Sequence, residues 1–568
     1  MGTLFSTLDI ARSGLQAAQA QLDIAGHNIA NVNKEGFSRQ RVELISRRPI
    51  SKPFGNFGRG VGIGGIRQIR DVFLDTLFRN SSPGLGSAEI RAEFLGRIED
   101  VFLEPGDSGL SSRINVFFES LNDFATNVES LAVRQSVIAE AGTLAGLFNE
   151  TARRLRDIRS NANNEVAGFA PRINILAQGI ASLNQKISKL ELGGQTANDL
   201  RDDRGLLLDE LSKIVNIFTR ERQSGQVDVL ISGDVLVDGN RSRDIEAVRN
   251  SALDPERDDL VELRFVDNGQ LVGAREGELF GALDIRDNVV VNIDNRLDTI
   301  AATIIQQINL IHSQGRGLAA YSGTVVSSNL PVDAVTPLDV AGLPFPVTSG
   351  TFDVTVFDST GTAISTTTIT VTAGVTTLTT LAADLGAADP NLSTSISAAG
   401  ALSITAAPGF TFSLSSDTSG TVVALGINGL FTGIDAATMG VNQVIANNVS
   451  LLTSGFDPDP LATGDNSAAL AMADVQNGLF LNGNTTSIGA FYESTIVQLG
   501  IEGRSNLDTL VAERAFVESF QRRRLEVSGV SIDEEVTLLL QFQRAFEASA
   551  RVITVTDRML DSLMAMAL

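Results

Sequence analysis

"LDIARSGLQAAQAQLDIAGHNIANVNKEGFSRQ", residues 8–40, begins as a regular apolar helix and ends in asparagines, a glycine and a basic extended run. Leu8, Leu15, Leu22 and Ile29 recur every seven residues, and Leu4, Ala11, Ala18, Ala25 and Val32 form a second row at the same period. Two such rows make the a/d seam of a coiled coil, with alanines that let a partner helix come close. An amphipathic helix packed on its own domain would give the same rows, so this segment alone leaves both readings open. Asn28, Asn31 and Gly36 then suit a turn out of the helix, because Asn and Gly tolerate left-handed backbone angles and cap carbonyls left unpaired at a helix end.

The far end of the chain repeats the pattern. In "SGVSIDEE" Ser531 can cap a helix, and Asp533, Glu534 and Glu535 suit the positive end of its dipole. Leu539, Phe546, Ile553, Leu560 and Ala567 follow seven apart, with Phe542 and Leu563 three positions further on. Neither helix gains much stability until its stripe is buried. Two stripes at opposite ends of one chain can bury each other, which places both termini together.

Between them the pattern changes several times. Ser87 to about Leu192 reads as helices, with a break at Pro105–Gly106 and a start or kink at Pro171. A helix follows in "TANDLRDDRGLLLDELSKIV", then hairpins from Val215 to Val272, then a long helix from about Glu276 to His312. Between Arg316 and Arg504 there is no Lys or Arg, while fourteen Asp and Glu fall there. Runs such as "FDVTVFD" and "TTITVTA" alternate like half-buried strands, so this acidic stretch holds an insert of short strands, and helical patterning returns at "NSAALAMADVQ". An insert of that kind is expected to fold separately and tolerate removal.

Bulk properties exclude several functions. The 568 residues suffice for three or four domains, and 43% apolar with 20% charged residues is globular composition. A net charge of −23 disfavours nucleic-acid backbone and anionic lipid as partners. With no cysteine and only His27 and His312, disulfides and thiolate or multi-histidine metal sites are excluded. The opening residues carry no secretory signal pattern, and no apolar run has the length of a membrane span.

Motifs that could carry chemistry have plainer readings. Gly60, Gly62 and Gly65 match dinucleotide-loop spacing, but β-branched residues alternate with the glycines and a twisted hairpin fits better. "DPDP" at 457–460 reads as a solvated turn. His312 falls at a helix end, where a cation favours the dipole, and Arg522, Arg523 and Arg524 read as a salt-bridge face with Glu513, Glu518 and Glu526. No nucleophile, base and orienting group come together, so neither enzyme activity nor a cofactor is expected.

Residues 13–44 resemble the N-terminal signature of the bacterial flagellar axial proteins, the rod, hook and hook-associated family: Asn28, Ile29, Ala30, Asn31, Gly36, Ser38, Arg39 and Gln40 match, with Phe37 in place of the usual Tyr and His27 in place of an Asn. "LLQFQRAFEASARVI" near the C-terminus is similar to the family's other signature, in its hook-associated rather than its hook form. "NDLRDDRGLLLDELSKIV", "INLIHSQGRGL" and "GDNSAALAMADVQ" resemble hook-associated segments at matching places.

The resemblance implies a non-enzymatic structural subunit at the junction between hook and filament, needed for filament assembly and motility. It implies a seam of Leu4, Leu8, Leu15, Leu22, Ile29, Leu539, Phe542, Phe546, Ile553, Leu560 and Leu563 that packs only on assembly. The implied partners are copies of itself in a ring, hook protein, a second junction protein of the hook-associated protein 3 type, and a cytoplasmic export chaperone at the C-terminal helix. Neither nucleic acid nor membrane is implied, and the route is secretion through the flagellar type III apparatus to the extracellular flagellum. Another flagellar axial protein, of hook or rod type, and a secreted adhesin with a Thr/Ser-rich β domain are the alternatives. Heptad seams at both ends argue against the adhesin.

The expected fold is mixed α and β and multidomain. Residues 1–40 with 528–568 form a terminal coiled coil, 41–214 with 505–527 a mainly helical domain with a hairpin, 215–344 with 436–504 a mixed hairpin and helix domain, and 345–435 an inserted β-rich outer domain.

Overall fold

The structure is a computed structural model and describes residues 2–52, 55–102, 106, 109–254, 257, 259–457 and 462–566. Pro105 and Pro458–Pro460, and the side chain of Leu4, lie outside the described residues. Helix α1 (Gly2–Ala30) leads into a ribbon of strands β1 (Gln40–Ser46), β2 (Ile50–Lys52), β3 (Gly55–Phe57) and β4 (Val61–Gln68). Helices α2 (Val72–Phe102), α3 (Leu110–Thr126), α4 (Leu131–Glu191) and α5 (Asn198–Ile214) follow, then short strands, α6 (Glu278–Asp284) and α7 (Val290–Gln314). A π turn at Ile285–Val289 interrupts the helix expected over 276–312. The β-rich stretch with α8 (Leu378–Ala387) precedes a return helix (Ile488–Ser528) and a C-terminal helix (Ile532–Met566).

Two compact units result. The first holds residues 1–93, 160–285 and 504–568, and the second 94–159 and 286–503. In the first unit, Phe169, Ile173 and Ile180 of α4 pack with Leu211 and Ile214 of α5 over Val229, Ile231 and Val237 of a four-stranded antiparallel sheet. The alternation "VDVLI" at 227–231 supplies the inward rows. Pro171 lies inside α4 and ends nothing. Phe169, Ala170 and Ile173 around it are buried, and their burial, about 1.5–3 kcal/mol for a large side chain, offsets the hydrogen bond proline removes.

In the second unit, Ile300, Ile304 and Ile308 bury the inner stripe of α7, and the rings of Phe117 and Phe431 meet edge on at 5.4 Å. The acidic insert holds two three-stranded antiparallel sheets, one ordered 363–371, 350–357, 411–415 and the other 324–326, 402–406, 392–396. It also contains α8, which the strand pattern hid. Leu378, Leu381, Ala382 and Leu385 bury one face of α8, and Thr377 and Thr380 close a capping box at its start.

The insert is tied into its unit more tightly than its alternating sequence implies. Residues 324–326 pair with 402–406, Ser416 N–H donates to Gln314 O at 2.9 Å, and Asn309 exchanges two hydrogen bonds with Phe431. Excising 345–435 would remove Phe431 and the partner strand, and soluble yield is expected to fall.

His312 corrects a sequence expectation. It is fully buried instead of charged at a helix end, and burial pulls its imidazole down to about 4. Its ring is satisfied as the neutral form: Nδ1–H donates to Asn428 O at 2.9 Å and Nε2 accepts Thr453 N–H at 3.1 Å. A folded-state pKa below the unfolded 6.5 means the unfolded chain binds the extra proton, so this stability is present above about pH 6.5 and is lost as pH falls towards 4. Urea unfolding of the second unit is expected to lose about 2 kcal/mol from this residue between pH 7 and pH 5. In His312→Gln that increment should vanish; an unchanged pH slope would refute the assignment.

Candidate functional site

Helix α1 packs along the C-terminal helix, and Gly14 lies where a Cβ would come within 3.1 Å of Ser549 Oγ. On α1 the alanine row is the buried one: Ala11, Ala18 and Ala25 are at most 5% exposed. Leu8, Leu15, Leu22 and Ile29 are half-buried, as are Leu539, Phe542, Phe546, Ile553 and Leu560, whereas Leu563 is 46% exposed. Val536, Leu540, Val552, Val555 and Met559 of the C-terminal helix are also exposed. Small side chains bring the two backbones together, and the larger apolar ones stay open at the flanks.

The segment 28–40 makes the joint between this helix pair and the rest of the unit. Asn28, 1% exposed, turns its amide on the backbone of Gln40: Nδ2–H donates to Gln40 O and Oδ1 accepts Gln40 N–H, both at 3.0 Å. An aspartate there would lose the donor. Asn31 Nδ2–H donates to His27 O, a carbonyl of the last helical turn, at 2.9 Å. Ala30 is exposed, and Phe37 is buried with its ring edge on to His27 at 5.5 Å. Gly36 sits at φ +73°, where an added Cβ would strike Leu206 at 2.5 Å, so both conformation and space require glycine.

The next three residues are gripped by distant parts of the chain. Ser38 donates its N–H and its hydroxyl to the two oxygens of Asp202, at 2.9 and 2.7 Å. Gln40 Nε2–H donates to Asp199 Oδ1 at 2.6 Å, and Lys34 Nζ to Asp203 Oδ1 at 2.9 Å. Arg39 crosses to the first turn of the C-terminal helix: Nε meets Glu535 Oε1 at 2.6 Å, Nη1 meets Glu534 Oε2 at 2.7 Å, and its backbone N–H donates to Ser528 O at 2.8 Å. The break between the two last helices, Gly529–Ser531, is thereby fixed to the end of α1.

Asp202 is 1% exposed, and burial pushes its carboxyl up against the pull of Ser38 and Arg70. From it an alternating charge chain runs through Arg70, Asp75, Arg524, Asp209 and Arg79, with Arg524 at 2.8 Å from both Asp75 and Asp209. Arg524 also lies over the Phe78 ring at 4.5 Å. Its partners come from α2 and α5, not from the glutamates of its own helix, while Arg522 and Arg523 point to solvent. Gly60 and Gly62 belong to the β1–β4 ribbon, where Val61 N–H donates to Ser13 Oγ at 3.2 Å and a Cβ on Gly60 would strike that oxygen.

Sequence reasoning missed α5 as the receptor for the 28–40 segment. Its signal was present: Asp199, Asp202 and Asp203 lie at i, i+3 and i+4, one helical face of three carboxylates. Most polar groups of the joint are paired, with Arg39 Nη2 and Asn198 Oδ1 buried without a hydrogen-bond partner, and the arrangement offers rigid attachment rather than a reactive centre.

The family description "Flagellar hook-associated protein FlgK helical domain" matches residues 95–325. "Flagellar basal body rod FlgEFG protein C-terminal" matches 521–566, and "Flagella basal body rod protein" matches 8–37. The chain is 26% identical to flagellar hook-associated protein 1 of Bacillus subtilis (strain 168), over 99% of this chain and 98% of that protein. It is 27% identical to flagellar hook-associated protein 1 of Salmonella typhimurium, over 98% of this chain and 99% of that one. Among solved structures, the flagellar hook junction protein FlgK from Burkholderia pseudomallei matches with a TM-score of 0.50 at 15% identity, over 80% of this chain and all of that one, a likeness of fold. No helix among the described residues is long and apolar enough to cross a membrane.

Proposed function

Because this chain belongs to the flagellar hook-associated protein family, we propose that its paired terminal helices are the assembly element of a structural subunit at the hook–filament junction. The protein is a structural component of the bacterial flagellum, needed for filament assembly and motility. The observation that carries the assembly reading is the half-buried state of the seam. Leu8, Leu15, Leu22, Leu539, Phe546 and Ile553 are each partly open beside a closed alanine row, so neighbouring copies can complete their burial. Copies of the chain then form a ring zone, with hook protein on one side and a second junction protein of the hook-associated protein 3 type on the other. Export through the flagellar type III apparatus precedes assembly. Electron microscopy of a strain lacking the chain tests this: hooks without filaments, with flagellin in the medium, are expected. Normal filaments would exclude the junction role.

The same stripe calls for a cover before export. Leu539, Phe542, Phe546, Ile553 and Leu560, half-buried, with the exposed Leu563, line one helix with an apolar surface that invites premature polymerisation. A cytoplasmic chaperone holding the C-terminal helix in a groove would read residues that the polymer later buries. A chain ending at Val527 is expected to lose chaperone binding at least tenfold in a pull-down or calorimetric titration. Equal affinity for the full and shortened chains would place the chaperone site elsewhere.

A further inference from the structure

The β1–β4 ribbon is built unlike the rest of the chain. Residues 44–70 carry six Lys and Arg and no Asp or Glu, in a protein of net charge −23. Arg47, Arg48 and Arg59 are exposed and form no ion pair among the described residues. At the base of the ribbon, Arg41 stands directly opposite Arg67, whose guanidinium lies 3.7 Å from Glu43. The ribbon is also apolar where it faces water. Leu44 lies opposite Ile63 and Ile50 opposite Phe57, all between 41% and 47% exposed. Two strands cannot bury such a surface between themselves, and an isolated two-stranded ribbon is marginal in water. The ribbon rests on α1 as far as Gly60, where a Cβ would come within 3.2 Å of Ile10 Cα, and β2 and β3 continue beyond that contact.

The same unit presents a matching receptor. A trough of about 960 Å³ lies between α2, α5 and the return helix, floored by Phe78, Leu85, Leu206 and Val517. Its exposed rim carboxylates are Glu35, Glu210 and Glu518. Of the rim cations, Lys213 is held by Glu89 at 2.8 Å and Arg524 by Asp75 and Asp209, so only Arg522 remains against three carboxylates.

We propose that the ribbon tip, Ile50 and Phe57 flanked by Arg47, Arg48 and Arg59, docks into the trough rimmed by Glu35, Glu210 and Glu518 on a second copy of this chain. This contact rests on the assembly reading and adds to it a lateral clasp away from the helical seam. Tip and trough pair apolar with apolar and basic with acidic, and each copy offers one of each, so the contact is head-to-tail and can propagate around a ring.

The absence of cysteine in the sequence makes the contact testable by disulfide trapping in assembled flagella. A chain carrying Phe57→Cys and Glu518→Cys is expected to yield a ladder of self-linked species on mild oxidation of purified flagella. Neither single variant should give a ladder, and the soluble monomer should stay unlinked. In parallel, Arg47→Glu with Arg59→Glu should cut the swimming fraction at least tenfold, with recovery when Glu210→Arg and Glu518→Arg are added. A double-cysteine chain present in flagella at normal level without a ladder, or one linked only to another flagellar component, overturns the docking while leaving the assembly reading intact. Absence of the unmodified chain itself from purified flagella would instead defeat the assembly reading.

Discussion

Cells whose only copy carries Leu15→Asp and Phe546→Asp are expected to be non-motile, with the purified chain still folded. Both side chains are half-buried in the single chain, so a carboxylate at either position can keep its water there. The proposed seam has these positions lose their remaining exposure in the polymer, where an unpaired carboxylate taken out of water would cost several kcal/mol at each site. Far-ultraviolet circular dichroism and the melting of the two compact units should change little. Electron microscopy should show hooks that carry no filament. Normal swimming by the double variant would remove the seam from the assembly mechanism.

Arg39→Met is expected to cost about 3–5 kcal/mol of stability in the first unit, the largest single-residue effect outside the core. The side chain of Glu535 is only 3% exposed, and Arg39 is its partner at 2.6 Å. Removing the guanidinium leaves that carboxylate buried, supported only by its place in the first turn of the C-terminal helix. Arg39→Met with Glu535→Gln should restore much of the loss, because the charge that needed a partner is gone. Arg39→Lys should fall between, since an ammonium cannot reach Glu534 and Glu535 with separate fixed donors. Chemical denaturation of the three variants measures these differences. If Arg39→Met alone is neutral, the joint between the helix pair and the rest of the unit is held by something other than this pair.

The terminal helices were legible because their information is local. A seven-residue apolar period, Ser531 at a helix start and asparagines at a helix end each act within a turn or two of chain, and they locate α1 and the C-terminal helix directly. The same holds for the β1–β4 ribbon, where glycines alternate with β-branched residues, and for the segregation of basic and acidic stretches. Helix α8 was not legible, because its threonines and alanines sit among strand-like runs and its apolar face is only ten residues long.

The sequence by itself determined that two amphipathic helices lie at the ends of the chain, with an extended basic segment after the first and an acidic β-rich stretch between them. Tertiary structure alone decided which row of α1 is closed, because an alanine row admits a helix backbone nearer than a leucine row does. It also chose α5 as the receptor for the segment after α1, since Ser38 and Asp202 stand 164 positions apart, and Arg39 and Glu535 stand 496 apart. No local pattern encodes such pairings. They arise when packing removes water from a group and leaves it one partner within reach. His312 shows the same physics with the opposite outcome: burial that supplies hydrogen bonds but no counter-charge fixes the ring as neutral, whatever the helix dipole favours.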